Sequence, residues 1–153
     1  MRLSTLGRYA LRAMVDVALH GGEGPVQRRE IAERQEISGH YLAQLLAKLR
    51  RAGLVQSMLG PGGGYVLARP ASEISAGDVL RAVEESLSPV YCVDSNQEGV
   101  CQREDGCPTR VLWARLGKAV SEVLDATTLA ELCTAPGSPA ETRSKPERKG
   151  TSA

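Results

Sequence analysis

Three of the four cysteines fall in one stretch without periodicity, SPVYCVDSNQEGVCQREDGC, as Cys92, Cys101 and Cys107, spaced C-x8-C-x5-C. Three thiols in one loop can fold around a metal centre. Zinc sites commonly draw on cysteine pairs roughly two to four residues apart, closer than these. Iron–sulfur centres are held mainly by thiolates, and their potential follows the ligands and exposure. An exposed thiol can also be oxidised with no metal present. The spacing leaves a metal centre, a thiol switch and inert cysteines open.

A second set of residues suits a polyanion. In GHYLAQLLAKLRR, Leu42, Leu45, Leu46 and Leu49 keep helical spacing on one face, and His40, Gln44, Lys48 and Arg51 occupy the other. A Gln side chain can pair bidentately with adenine, and His40 lies near the helix end that usually meets base edges. Further on, Gly60-Pro61-Gly62-Gly63-Gly64 forms a tip almost without side chains, whose backbone N–H groups can approach a phosphate. No Gly-Lys-Ser/Thr follows, so this is not a nucleotide-binding loop, and the same tip is also an ordinary hairpin turn. The residues assigned to a DNA contact are Arg28, Ser38, His40, Tyr41, Gln44, Lys48, Arg50, Arg51, Pro61, Gly62, Gly63 and Gly64.

The elements that must hold these residues are legible in order. Thr5 to His20 reads as a scaffold helix with Leu6, Ala10, Ala13, Met14, Val17 and Ala18 on one face, stopped by Gly21-Gly22. Arg2 before it and Arg8 and Arg12 on it are either phosphate contacts or solvated. A short helix around Ile31 and Ala32 breaks at Glu36 to Gly39; Ser38 then caps the reading helix, and Gly53 ends it. Val55–Met58 and Tyr65–Ala68 read as two strands of a wing. Helix, turn, helix and hairpin together describe a device for seating one helix in a DNA groove. The bland alternative is a winged helix that binds protein.

Ser75 caps a linking helix to about Leu87, with Asp78 at its third position and Val79, Leu80, Val83 and Leu87 inward. Pro108 suits the first position of a long helix to about Asp125. Its apolar stripe of Val111, Leu112, Leu116, Val120, Val123 and Leu124 calls for a two-fold partner. Thr128 and Glu131 form a capping pair for a last helix, Leu129 to Cys133. The expected class is therefore mainly α with a small β-wing: a winged helix-turn-helix DNA-binding domain over 1–70, and a linker helix, cysteine loop and dimerisation helix over 71–134. Residues 135–153, rich in Pro, Ser, Lys and Arg, are expected to be disordered.

Charge supports the division. The net charge of +1 over 153 residues hides +5 in residues 1–70, −6 in 71–134 and +2 in 135–153. A basic head suits a polyanion, and an acidic arm belongs away from it. Phe is absent and Trp occurs once, against single-strand binding by base stacking. No apolar run approaches the roughly 20 residues that span a membrane. Arginines interrupt the N-terminal apolar residues, unlike a signal peptide. The expected compartment is the cytosol, where cysteines stay reduced or bind metal. Two His residues and no spaced carboxylate pair argue against a hydrolase, and a small electron carrier has no need of a basic helix-turn-helix.

The chain resembles the IscR/NsrR-type winged-helix regulators from Met1 to about Leu132. The resemblance rests on Met1-Arg2-Leu3 with Gly7-Arg8-Tyr9-Ala10, the helix pair through Leu49-Arg50, Gly53-Leu54-Val55, Gly60-Pro61-Gly62-Gly63-Gly64-Tyr65, the three-cysteine loop and Leu112-Trp113. It implies a homodimeric bacterial transcription factor on double-stranded DNA. It also implies an iron–sulfur cluster, commonly of the 2Fe–2S type, on Cys92, Cys101 and Cys107. There are departures. Arg110 stands where such regulators carry a ligating His, and Arg8 where some relatives carry a carboxylate. The fourth ligand is left open among Glu104, Asp105, Asp94 and a partner-chain group, with Cys133 read as a packed thiol. Ala43 and Leu59 replace a common Glu and Arg near the DNA, so the operator preference is expected to differ.

Overall fold

The computed structural model describes residues 4–83, 86–94 and 101–136, apart from the Glu104 side chain. The element order is α1 (Thr5–His20), α2 (Arg28–Gln35), α3 (Gly39–Arg51), β1 (Val55–Met58), β2 (Gly64–Leu67), α4 (Ala76–Ala82), α5 (Arg110–Ala126) and α6 (Leu129–Thr134). Short 3-10 turns lie at Gly21–Glu23, Ala71–Glu73, Tyr91–Val93 and Glu104–Gly106.

Local signals place the head helices. Ser4 caps α1 through its side chain, and Ala10, Ala13, Met14 and Val17 are buried. Ser38 caps α3, its hydroxyl accepting from the Tyr41 N–H at 3.2 Å. The four leucines of α3 are fully buried. Gly53 adopts φ +72°, the left-handed conformation that lets the chain leave α3 and turn into β1. β1 and β2 pair antiparallel from Val55↔Leu67 to Met58↔Gly64. The second strand thus begins and ends one residue earlier than its apolar run suggests. Val26 joins the sheet by two backbone hydrogen bonds to Tyr65, of 2.9 and 2.8 Å. The wing is thereby tied to the segment that enters α2.

One core runs through the head and beyond it. It holds Ile31, Leu45, Leu46 and Val55 together with Ile74, Val79, Val83 and Leu129. Ser75 caps α4 in a capping box with Asp78, as the sequence predicts. The helix is shorter than predicted, however, ending at Ala82, and Leu87 lies outside any helix; residues 84–85 fall outside the described ones. Pro108 does not begin α5. The Arg110 N–H donates to the Cys107 carbonyl at 3.2 Å, closing a turn that contains Pro108, and helical geometry starts at Arg110. A proline satisfies a turn there as readily as a first helical position. Thr128 and Glu131 form the expected capping box for α6. The Ala76 N–H donates to the Thr127 carbonyl at 2.8 Å and the Leu129 N–H to the Ile74 carbonyl at 2.9 Å, so α6 is laced onto the start of α4.

Of the predicted α5 stripe, Val111, Leu112, Leu116 and Val123 are exposed, and Val120 and Leu124 are half-buried. Arg2, residues 95–100 of the cysteine loop and 137–153 of the tail lie outside the described residues. No helix among those described is long and apolar enough to cross a membrane.

Candidate nucleic-acid interface and cysteine pocket

The outward face of α3 carries His40, Gln44 and Arg51, all exposed, with Lys48 half-buried. The Gln44 amide lies 3.1 Å from the His40 ring nitrogen Nε2, so the two side chains share one position on the face. Arg50 is turned toward the wing, its Nη1 donating to the Ser57 hydroxyl at 3.2 Å. Tyr41 packs edge-on against Tyr9 of α1, with ring centroids 5.9 Å apart. It braces the reading helix as well as flanking it. The Ser38 oxygen accepts from the helix backbone, and its hydroxyl proton is not used by that cap.

The glycines of the wing have a structural reason of their own. A Cβ at Gly63 would lie 2.3 Å from the Met58 carbonyl oxygen, and one at Gly64 would lie 2.4 Å from that of Val26. The Gly63 N–H closes the turn onto the Gly60 carbonyl at 2.9 Å. Wing and helices bound a cleft of about 760 Å3, lined by Arg28 and Arg29 of α2, Gly39 of α3, and Met58, Leu59 and Gly62 of the wing. Arg28, Arg29, Pro61 and Gly62 are exposed along or beside it.

A network absent from the sequence reading fixes α2 against α1. Asp16 is 1% exposed, and its carboxylate accepts from Arg34 Nε at 3.0 Å, Arg34 Nη2 at 2.7 Å and the Gln35 amide at 2.8 Å. His20 Nδ1 stands 3.6 Å from the same carboxylate. Arg12 donates to the Gln35 side chain at 3.1 Å and lies over the Tyr9 ring at 5.5 Å. Arg8 donates to the Thr5 hydroxyl at 3.2 Å at the surface. The one available sequence signal was Asp16 itself, an acid beside an otherwise apolar face.

The cysteine loop meets the start of α5. A cavity of about 500 Å3 is lined by Cys92, Asp94, Asp105, Cys107, Arg110 and Val111. None of the four cysteines is in a disulfide. Hydrogen bonds from the Thr109 hydroxyl and backbone hold the Cys107 thiol below its ordinary value, helped by the Arg110 N–H and the Arg103 charge. Cys101 does not line the cavity but lies close to Tyr91, whose phenol it holds above the usual range by its charge and a hydrogen bond. Asp94 is buried and accepts from the Ser86 hydroxyl at 2.5 Å. Arg110 directs Nε to the Cys92 carbonyl oxygen at 3.4 Å, so the residue in the place of a ligating His adds positive charge beside the thiols. Among the described residues no three His, Cys, Asp or Glu groups converge as a finished metal site. The donors nevertheless suit iron in kind: two thiols and two carboxylates line one cavity, and the third thiol lies by Tyr91, the chain neighbour of Cys92. Cys133 is half-buried on α6, and burial pushes its thiol up.

A capped reading helix with a polar outer face, a preceding helix locked at a fixed angle, and a glycine-tipped hairpin beside them define a winged helix-turn-helix DNA-binding transcriptional regulator. The chain belongs to the Rrf2 family, Iron-dependent Transcriptional regulator, whose model matches residues 3–135. It is 52% identical over 132 residues to the HTH-type transcriptional regulator IscR of Serratia proteamaculans (strain 568), covering 86% of this chain and 79% of that protein. Among solved structures, CymR (YrzC), the global cysteine regulator of B. subtilis, matches with TM-score 0.75 and 44% identity over 88% of this chain and 97% of that one. T. potens IscR matches with TM-score 0.71 and 42% identity, over 88% and 87%. Such relatives are regulators rather than enzymes, in keeping with the resemblance seen in the sequence.

Proposed function

We propose that this regulator binds its operator as a homodimer, and that an iron–sulfur cluster on Cys92, Cys101 and Cys107, of the 2Fe–2S type, sets its affinity. The observation that carries the proposal is the position of the thiols. Cys92 lies in a turn packed against α5, and α5 returns through α6 to Leu129 in the core beneath the reading helix. A shift of the Cys92 turn therefore has a continuous packed route to the head.

In this reading His40, Gln44, Lys48 and Arg51 meet the major groove. Arg28, Ser38, Tyr41 and Arg50 orient the helix or meet phosphates, and Pro61 to Gly64 approach the backbone. Two heads paired through α5 read half-sites about 34 Å apart. Three thiolates would hold the cluster, with Asp94 or Asp105 of the same cavity as candidates for the fourth position. Bound there, it would supply one-electron redox chemistry and bonds sensitive to oxidants and nitric oxide. Arg110 keeps positive charge beside the thiolates, and the Cys92 turn biases the arrangement of the two heads. The cytoplasm is the compartment that keeps such thiols reduced.

The test is anaerobic reconstitution, with operator affinity measured on loaded and stripped protein. A difference between them supports gating, and equal affinities overturn it. Cys92→Ala is expected to abolish visible absorbance; unchanged colour and iron would overturn the ligand assignment. A second reading, a thiol switch or a zinc-stabilised fold, draws on the lowered Cys107 thiol and on a donor set that would also take zinc. Zinc without iron or sulfide, or oxidant-dependent DNA binding in metal-free protein, would favour it.

A further inference from the structure

The turn that carries Cys92 is ordered by the chain's own hydrogen bonds. The Val93 N–H donates to the Val90 carbonyl at 3.3 Å and the Asp94 N–H to the Tyr91 carbonyl at 3.1 Å. Two residues of α5 hold this turn in register. Gly117 leaves a notch for Pro89, whose Cδ would lie 3.1 Å from a Cβ at that position. Arg110, the first residue of the helix, directs Nε to the Cys92 carbonyl oxygen at 3.4 Å, and its N–H donates to the Cys107 carbonyl at 3.2 Å. One residue thus bonds to the backbone of two of the three loop cysteines.

The charge of Arg110 matters as much as its bonds. It is half-buried, and among the described residues it is the one cation that lines the cavity, which it shares with Asp94, Asp105 and two thiols. Arg103 places a second positive charge near Cys107 from outside that lining. Thiolates on iron together with these carboxylates would leave the site with an excess of negative charge. An added electron makes that excess larger, so a guanidinium beside it favours the reduced form.

We propose that Arg110 is a positioning residue of the cysteine site: it pins the Cys92 turn to α5 and, through its charge, makes a bound iron–sulfur cluster easier to reduce. The charge effect rests on the cluster proposed above and deepens that reading; the pinning does not depend on it. A guanidinium stays protonated and cannot ligate, so Arg110 acts through the thiolates and not on iron. The step concerned moves one electron from an external reductant to one iron, Fe(III) to Fe(II), with no other bond made or broken. Even with water-like screening, a unit charge at about 4 Å changes an equilibrium about fivefold. The sign follows directly: neutralising Arg110 lowers the potential, and at any one applied potential less of the cluster is reduced.

The experiment uses the full chain, reconstituted anaerobically with iron and sulfide and titrated with dithionite in the presence of redox mediators. Iron and sulfide per chain are measured first, and reduction is followed by the loss of visible absorbance. Arg110→Gln is expected to load as the unaltered protein does, with a reduced-to-oxidised ratio about fivefold lower at the same potential. Arg110→Lys keeps the charge and is expected to stay within about twofold of the unaltered protein. A Gln variant that also stays within that range overturns the charge effect, and so does a Lys variant that falls as far as the Gln one. The pinning is read separately, by hydrogen exchange in metal-free protein. Arg110→Ala is expected to speed exchange of the Val93 and Asp94 amides about threefold or more, and to leave those of Leu45 and Leu46 in α3 unchanged. Unchanged exchange at Val93 and Asp94 overturns the pinning. If the unaltered protein takes up no iron and sulfide, the cluster reading fails and the charge effect with it, while the exchange measurement still decides the pinning.

Discussion

Asp16 stands on α1 with its carboxylate enclosed, and Arg34 supplies its countercharge while remaining 34% exposed. Removing the arginine leaves the buried carboxylate with the Gln35 amide and the His20 ring beside it among the described residues. Arg34→Ala is expected to lower the free energy of unfolding by about 3 kcal/mol in urea titration. Arg29→Ala breaks the exposed pair with Glu33 one turn away, and should leave the unfolding midpoint essentially unchanged. Equal effects would mean that the Asp16 network does not fix α2. Cys133 offers a pH test at the same scale. Burial raises its thiol, so its reactive thiolate is scarce until the pH exceeds the ordinary thiol range. Alkylation of metal-free protein at pH 8, followed by mass spectrometry, should be slower at Cys133 than at a cysteine in a short peptide. The lag should close in urea. The Asp16 network was not legible in the sequence because periodicity reports which face is apolar and nothing about partners 18 or 19 residues away. The cysteines were legible as a group, but whether they converge depends on a loop that no local rule specifies.

Helices and strands were read well wherever a local signal sufficed. α1 and β1 have the predicted bounds, and Ser38, Ser75 and Thr128 cap where expected. Misses occurred where two signals competed. The run from Tyr65 to Ala68 reads as a strand by composition, but Gly64 pairs with Met58 and shifts the strand back by one residue. The apolar period of α4 continues to Leu87, yet the helix stops at Ala82, near the glutamates at 84 and 85. The wing's glycines invite a phosphate reading, and the backbone crowding at Gly63 and Gly64 accounts for two of them without a ligand. Gly64→Ala should therefore lower stability by about 2 kcal/mol, since backbone must move to admit the methyl group. Ser38→Ala, which removes only the cap, should lower it by about 1 kcal/mol. Thermal unfolding without DNA checks both. A Gly64→Ala protein of unchanged stability that binds DNA more weakly would assign Gly64 to the phosphate contact instead.

The charge division and the α5 face act together across the whole molecule. Residues 1–70 carry net +5 and residues 71–134 net −6, a division that would favour one orientation on a duplex. In the proposed dimer each head would cover one half-site, and pairing would make the second contact intramolecular, raising its effective concentration. On α5, 17 residues or about 26 Å long, Leu112, Leu116 and Val123 recur at i, i+4 and i+11 on one exposed side. The opposite side is occupied within the chain by Pro89 near Gly117 and by the ion pair of Arg81 with Asp125. Leu112→Glu places a charge in the exposed stripe and leaves every core residue in place. If α5 forms the proposed two-fold contact, the unaltered protein sediments as a dimer and the variant as a monomer at the same concentration, with the same helical content by circular dichroism. Its affinity for a two-half-site duplex should fall at least tenfold, while that for a single half-site stays within twofold. A Leu112→Glu protein that remains dimeric would place the two-fold contact elsewhere on the chain, and the spacing of the heads would have to be set by another element.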